Sequence, residues 1–197
     1  MINLEEDLFN PIFDFLIEKK EYFEFFDKIA HNKKKFTDYH GPIQYKNEKW
    51  LQAELAVFLT KSNWIVATEV NTFDLCATQE SNPNDEILIE MKVFVNSGRN
   101  PKTKNDGEYS KIKDDIRKIR KDGGLALILL PKCSDHDIKV DYSKYVYQKI
   151  KKDFPKINEL YSRSILYNGE KEKGFWVSWW SFEYKPTKYQ ELAKELS

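Results

Sequence analysis

Cysteine is nearly absent from this chain, with two among 197 residues. Small secreted domains often depend on several disulfides, so this count excludes a disulfide framework and favours a reducing cytoplasm. The chain also lacks the run of about 20 apolar residues that a membrane-spanning helix needs, and residues 1–7 are acidic, unlike a signal peptide. We therefore expect a cytoplasmic protein that does not contact a membrane.

Other absences narrow the class of function. The three histidines, His31, His40 and His136, do not have the spacing of zinc ligands. The formal net charge is zero, with 32 basic and 32 acidic residues, which argues against non-specific binding of nucleic acid by the whole surface. What the chain has is 41% hydrophobic and 15% aromatic residues, enough to bury the core of a single domain over residues 1–197.

One apolar stretch carries charges in its interior. Residues 87–95 are rich in β-branched and long apolar side chains and follow a turn-prone segment at 81–84, so they predict a buried strand. Side chains two apart on a strand share a face and lie about 6.6 Å apart, so Glu90 and Lys92 face the same site. Burying both charges is costly unless they are paired or coordinated.

The acid-any-lysine pattern is weak evidence by itself. It also occurs at Glu18/Lys20, Asp137/Lys139 and Glu183/Lys185. The first of these pairs lies in a helix-like stretch, the second in a loop-like one, and the third closes a predicted aromatic strand. Only Glu90/Lys92 follows a strand that carries an aspartate, Asp74. If the loop at 79–85 forms a hairpin, Asp74 and Glu90 lie side by side.

The predicted elements follow a definite order. Apolar residues at helical spacing indicate helices, and short β-branched runs indicate strands. The order is helix, three strands, helix and strand, at residues 49–59, 64–70, 73–78, 87–95, 109–121 and 125–130. Glu54 is the one acid within the first of these helices.

This order, with Glu54 on the first helix, Asp74 at the hairpin and Glu90-Met91-Lys92 on the central strand, resembles the PD-(D/E)XK nuclease superfamily, whose best-known members are restriction endonucleases. The resemblance covers roughly residues 49 to 131, and Phe73 stands where the named motif has a proline. It implies an α/β fold with a restriction endonuclease-like core, in which helices flank a mixed central sheet, and with extra N- and C-terminal helices.

The residue types in this set suit phosphodiester hydrolysis. The reaction needs an activated water and a place for the charge that builds up on the phosphoryl and leaving oxygens, and one or two Mg²⁺ ions provide both. Asp74 and Glu90, with the backbone carbonyl of Met91, are the predicted metal ligands. Glu54 is expected to hold a second ion or a metal-bound water, and Lys92 to stabilise the phosphate or orient the attacking water. The sequence thus predicts a Mg²⁺-dependent endodeoxyribonuclease of the restriction type, with Mn²⁺ as a substitute metal and no organic cofactor.

Each of these residues also has a plain structural interpretation. Glu54 alone is typical of a helix surface, Asp74 of the end of a strand, and Lys92 of a strand edge from which its ammonium reaches solvent. The joint arrangement is rarer than any one of them and favours the functional interpretation. Glu69 and Glu86 are the alternative acids if the hairpin register differs.

Basic residues are concentrated after the predicted active strand. Residues 92–121 include ten basic and four acidic residues. The polar loop at 96–105 suits contacts with phosphates, although a solvated loop without a partner has the same composition. The residues predicted to contact DNA, with double-stranded DNA as the expected partner, are Arg99, Lys102, Lys104, Lys111 and Lys113. A second cluster at 144–152 mixes lysine with tyrosine, which is more often the half-buried face of a helix than a stacking surface.

The flanking segments add less. Residues 1–48 are predicted to be an N-terminal helical extension, in which residues 4–30 have an amphipathic pattern that packs on the core or forms a dimer face. A homodimer would suit double-strand cleavage, because one such site cuts one strand. Residues 174–184 are too aromatic to be exposed and are expected to add a strand to the sheet.

Two other functions stay open. The same fold with weak or lost catalysis would be a nucleic-acid-binding module. An unrelated cytoplasmic α/β interaction protein, for instance an immunity or regulatory subunit, would use Glu90 and Lys92 as a structural ion pair, and the neutral net charge favours this class somewhat. RNA stays open as a substrate, as does the need for a partner chain.

Overall fold

Helices cover both faces of a six-stranded sheet in this protein. The computed structural model describes residues 2–25, 43–94, 106–132, 142–167 and 173–182. A π-helix at Leu4–Phe9 leads into α1 (Asn10–Glu18), residues 20–25 are helical, and α2 (Ile43–Lys61), α3 (Asp106–Asp122) and α4 (Tyr142–Asp153) follow. The strands are β1 (Trp64–Val70), β2 (Phe73–Gln79), β3 (Asn82–Val93), β4 (Leu125–Lys132), β5 (Asn158–Leu166) and β6 (Gly174–Ser181). The predicted α/β class with a mixed sheet is confirmed.

The strand order in the sheet is β1-β2-β3-β4-β6-β5. β3 and β4 pair in parallel, and the other neighbours pair antiparallel. A parallel pair needs a crossover connection, usually a helix, and α3 lies between β3 and β4 in the chain. The succession α2, β1 to β3, α3 and β4 therefore matches the predicted order of helix, three strands, helix and strand. Because β2 and β3 are antiparallel, the carboxyl-terminal end of β3 lies beside the first residues of β2.

Short turns join the first three strands. Asn71 and Thr72 connect β1 to β2 with φ angles of 50° and 74°, the left-handed backbone that two-residue hairpin turns require. Gln79 of β2 pairs with Asn82 of β3, so the second turn is shorter than the loop predicted at 79–85. β3 begins before the predicted start at residue 87 because hairpin pairing continues into the polar residues that precede its apolar part.

Side chains of β3 alternate between two apolar clusters, one on each face of the sheet. Ile87, Ile89, Met91 and Val93 belong to the cluster shared with α1 and α2, whereas Leu88 and Phe94 belong to the cluster shared with α3 and α4. Because successive side chains on a strand point to opposite faces, Glu90 and Lys92 project on the side of α3. The predicted common face for these two charges is therefore confirmed.

The flanking elements complete this arrangement. Leu8, Phe9 and Leu16 are buried in the same cluster as α2, so the described part of the N-terminal region packs on the core. The predicted aromatic strand is β6, which lies between β4 and β5. β5 was not predicted, because only Tyr161 and Ile165 are buried among its mostly exposed residues and its apolar pattern is weak. None of the helices within the described ranges combines the length and the apolar character needed to cross a bilayer.

Candidate active site

Two carboxylates face each other where β2 begins and β3 approaches its end. Leu75 of β2 pairs with Ile89 of β3, so the antiparallel register puts Asp74 across from Glu90, as predicted. Both residues are buried, each 8% exposed. Opposite residues on antiparallel neighbours have Cβ atoms about 4.5–5.5 Å apart, so the two side chains leave the sheet at nearly the same point.

Asp74 is held by β3 and by α2. The backbone N–H of Met91 donates to Asp74 Oδ2 at 2.8 Å, and Gln52 donates to the backbone carbonyl of Asp74 at 2.5 Å. Lys49 Nζ lies 3.9 Å from Asp74 Oδ1. The N–H and C=O of one strand residue point toward the same neighbouring strand. The carbonyl of Met91 is therefore directed at the same edge as the Asp74 carboxylate.

Lys92 lies between two acids that were not among the predicted site residues. Its Nζ is 3.3 Å from the carboxylate of Glu48 on α2 and 3.2 Å from Asp115 Oδ2 on α3. Within the described residues, Lys92 thus pairs with acids on two helices rather than with Glu90. Burial lowers the pKa of Lys92, but Asp115 and Glu48 outweigh this effect and the pKa is raised. Lys92 is therefore a cation at neutral pH.

Glu90 is paired with a lysine of α3. Lys118 Nζ lies 2.5 Å from Glu90 Oε2, donates to the carbonyl of Thr72 and sits 4.6 Å from the centre of the Phe73 ring. Burial raises the pKa of Glu90 to about 8, and Lys118 offsets this rise only in part. Without a further cation, burial therefore favours the protonated form of Glu90.

One carboxylate oxygen of Asp115 is able to accept a further hydrogen bond. Its buried Oδ2 has no hydrogen bond of acceptable geometry among the described residues, although the ammonium of Lys92 is near enough to act through its charge. Burial raises the pKa of Asp115 to about 6 against the opposing effect of Lys92. The contact with Lys92 is therefore an ion pair without an aligned hydrogen bond, and it leaves this oxygen able to accept one from a water.

The cluster contains more acid than base. Its charged members are Glu48, Asp74, Glu90, Asp115, Lys92 and Lys118. With every member ionised, four carboxylates and two ammonium groups leave a net charge of −2. The ion pair of Lys49 and Glu69 at the rim does not change this balance. Burial also raises the pKa of Glu48, and a divalent cation would remove the excess negative charge.

The donor chemistry of this corner suits Mg²⁺. This ion prefers oxygen ligands and keeps several of its waters, and Asp74, Glu90 and the Met91 carbonyl offer only oxygens. Within the described ranges, no three His, Cys, Asp or Glu side chains already form a closed metal cluster. Lys92 lies between Glu48 and Asp115, and Lys118 contacts Glu90. The residues therefore fit a divalent cation in ligand type and in charge.

The structure corrects the choice of acid on α2. The carboxylate of Glu54 accepts a 2.8 Å hydrogen bond from Lys19, whereas Glu48 meets Lys92. Six residues along a helix correspond to a rotation of about 240°, so the two acids lie on different sides of α2. Glu48 therefore replaces Glu54 as the acid that α2 brings to the site.

The two alternative acids do not take the place of Glu90. Glu69 lies at the rim and accepts hydrogen bonds from Lys49 and Gln52. Glu86, four residues before Glu90 on β3, accepts a 2.6 Å contact from the thiol of Cys76. The predicted hairpin register therefore holds.

The predicted DNA contacts divide into three groups. Arg99, Lys102 and Lys104 lie outside the described residues. Lys111 shares a helical stripe of α3 with Asp115 and Lys118, because residues four and seven apart lie on one side of a helix. Lys113 is on the other side of α3, where its Nζ lies 2.9 Å from Asp153 of α4. Of the two described lysines, only Lys111 is on the side of the site.

The site contains three charged residues that were not predicted: Glu48, Asp115 and Lys118. Asp115 and Lys118 are three residues apart on one stripe of α3, beside its buried isoleucines, and this spacing is a signal for both. The signal for Glu48 is that it precedes the buried Gln52 and Leu55 by four and seven residues.

Comparisons with models of protein families, with curated proteins and with solved structures found no match to this chain. The geometry and charge of the site are therefore the basis for its functional interpretation.

Proposed function

We propose that this protein is a Mg²⁺-dependent endodeoxyribonuclease that hydrolyses phosphodiester bonds in DNA, and that its α/β core is of the restriction endonuclease type. One observation carries the proposal. The register of β2 and β3 opposes buried Asp74 to buried Glu90, and Lys92 follows two residues later on the same face. Buried charges are poor contributors to stability, so a cluster of them at a sheet edge favours a catalytic role.

Asp74, Glu90 and the carbonyl of Met91 would hold the metal ion. When bound, Mg²⁺, or Mn²⁺ in its place, supplies charge that stabilises the phosphoryl oxygens and makes a water more acidic. Asp74 is already oriented by the N–H of Met91 and, through its backbone, by Gln52. Glu90 would exchange its contact with Lys118 for the metal ion.

Lys92 is the protein side chain that would place a positive charge beside the phosphate. An ammonium beside the scissile phosphate would stabilise the negative charge that grows on its oxygens in the transition state. Glu48 and Asp115 hold this ammonium from two sides, which limits its movement. The Oδ2 atom of Asp115 is suited to accept a hydrogen bond from the attacking water next to Lys92.

Cleavage of supercoiled plasmid in Mg²⁺, Mn²⁺ or EDTA tests this proposal. We expect nicking in either metal and none in EDTA. Lys92→Ala should abolish nicking, whereas Lys61→Ala, at the exposed end of α2, should retain it. Cleavage that persists in EDTA or in folded Lys92→Ala would overturn the proposed mechanism.

The products also report how many sites act together. One site of this kind cuts one strand, so an isolated protomer should give nicked circles. A homodimer would bring two sites to the duplex and give linear plasmid. Discrete fragments from genomic DNA would indicate the sequence preference of a restriction-type enzyme.

A binding module without catalysis is the second candidate. It is favoured by the pairing of both lysines with acids, Lys92 with Glu48 and Asp115 and Lys118 with Glu90, which gives the network a structural role as well. Mn²⁺ binding, measured by electron paramagnetic resonance, separates the two candidates. Binding that Asp74→Asn removes supports the nuclease, and no binding in the wild type supports the module.

A further inference from the structure

Charge is separated across the sheet although the chain is neutral overall. Residues 2–25 carry seven acidic and two basic residues, a net charge of −5. α3 and α4 together carry ten basic and six acidic residues, a net charge of +4. These two groups pack on opposite faces of the sheet. Among the described residues, the N-terminal helices on one face and α3 and α4 on the other therefore carry opposite net charges.

The basic face includes the side on which the candidate site opens. α3 contributes Asp115 and Lys118 to the site. On its other side α3 meets α4, because Tyr109 Oη donates to Asp153 at 3.1 Å and Lys113 lies 2.9 Å from the same carboxylate. α3 thus lies between the site and α4.

The surface formed by α3 and α4 presents cations more than open aromatic rings. Lys149 Nζ lies 5.1 Å from the ring centre of Tyr109 and 4.9 Å from that of Tyr145, so these rings are covered by an ammonium. Arg120, Lys144 and Lys152 are exposed. Binding of single strands depends on bases that stack on open rings, whereas binding of a duplex backbone needs only positive charge. The surface therefore favours a duplex.

We propose that duplex DNA lies across the α3–α4 surface, with its phosphates held by Arg120, Lys144, Lys149 and Lys152, and that one strand passes Lys111 to reach the site. This inference rests on the proposed nuclease function. A helix of 17 residues such as α3 is about 25 Å long. One DNA strand offers about seven phosphates over that length, at about 3.4 Å each. The acidic opposite face repels DNA, so the duplex approaches from one side.

Two double variants with the same change in net charge test this surface. Lys144→Glu/Lys152→Glu reverses charges on α4, and Lys20→Glu/Lys61→Glu reverses two on the acidic side of the sheet. Affinity for a fluorescent duplex is measured by anisotropy in EDTA over a series of salt concentrations. The α4 variant should bind at least about tenfold more weakly and lower the slope of log K against log salt by about 2. The control should bind within about twofold of the wild type.

Equal weakening in both variants, or none in either, would overturn the inference. A wild-type preference for single-stranded DNA or for RNA would overturn the assignment of a duplex. Because EDTA prevents cleavage, binding is measured independently of the proposed reaction. Duplex binding that depends on α4, without plasmid cleavage, would support this surface and reject the proposed nuclease. Metal-dependent cleavage by a protein whose DNA affinity does not depend on α4 would support the nuclease and reject this surface.

Discussion

Lys118 on α3 and Glu90 on β3 form an ion pair of 2.5 Å in the buried part of the site. Their side chains are 20% and 9% exposed, so neither charge is well solvated. Removal of one partner from a buried pair leaves an uncompensated charge and costs about 3–5 kcal/mol. This pair therefore connects the chemistry of the site to the docking of α3 on the sheet.

Lys118→Met is expected to lower the free energy of unfolding by about 3 kcal/mol at pH 9. The loss should be smaller near pH 6, because Glu90 is protonated there. Urea denaturation at the two pH values measures both losses. The double variant Lys118→Met/Glu90→Gln should recover most of the stability at pH 9. An equal loss at both pH values, or no recovery in the double variant, would show that the pair does not behave as described.

Stability of the metal-free protein should fall as pH rises from about 5 to 8. Glu90 has a pKa raised from 4.5 to about 8, and Asp115 one raised from 3.8 to about 6. Between the ordinary and the raised values the folded chain binds more protons than the unfolded chain, so the free energy of unfolding decreases with pH. Glu90→Gln should flatten this dependence in thermal or urea unfolding, and an unchanged slope would contradict the assignment to Glu90.

Mg²⁺ should reduce this loss of stability at high pH. Metal ligands must be deprotonated, so metal binding strengthens as the carboxylates ionise. The free energy of unfolding is therefore measured at each pH in Mg²⁺ and, as the control, in EDTA. We expect little stabilisation at pH 5 and a larger one at pH 8, and Glu90→Gln should remove most of it.

Glu48 and Glu54 offer a matched comparison on one helix. Glu48 bonds Lys92 and accepts a 3.4 Å hydrogen bond from the N–H of Val93, whereas Glu54 bonds Lys19. Glu48→Gln should lower the nicking rate about 10–100-fold, the usual cost of removing a supporting residue of a metal site. Glu54→Gln should leave it within about twofold. The reverse order of effects would restore Glu54 as the functional acid.

Thr72 is a strained residue beside the site. Its φ of 74° is unusual for a β-branched residue, while Asn71, at 50°, is of a type that tolerates this region. Thr72→Gly should therefore raise the free energy of unfolding by about 1 kcal/mol and keep the carbonyl that Lys118 contacts. Thr78→Gly, within β2, is the control and should lower it. Destabilisation by Thr72→Gly would argue against strain in this turn.

The part of the site that lies on strands was predictable because hairpin pairing is local. Asp74 and Glu90 are joined by one short turn, and the period of two along a strand puts Lys92 on the face of Glu90. The side chains from helices were harder to predict. Which residue of a helix reaches a strand depends on how that helix is rotated when it docks, and this is set by distant contacts. For this reason the sequence pattern predicts Glu54 on α2, whereas the docked helix brings Glu48 to Lys92.

The overall composition does not show how charge is distributed between the two faces of the sheet. A net charge of zero over 197 residues argues against non-specific binding of nucleic acid by the whole surface, but it averages over all faces of the molecule. The sheet separates the acidic N-terminal helices from the basic α3 and α4. Charge counted for each face, rather than for the chain, bears on how a polyanion would approach.

The rate at which Asp74→Asn nicks supercoiled plasmid in Mg²⁺, relative to the wild type, tests the metal-dependent site most directly. Asparagine keeps the shape of the side chain and an oxygen for the N–H of Met91, but it removes the charge that a metal ion needs. We expect the rate to fall at least about 100-fold with little change in the free energy of unfolding. A folded Asp74→Asn protein that nicks DNA at the wild-type rate, or wild-type protein that never nicks DNA in either metal, would contradict the proposed nuclease.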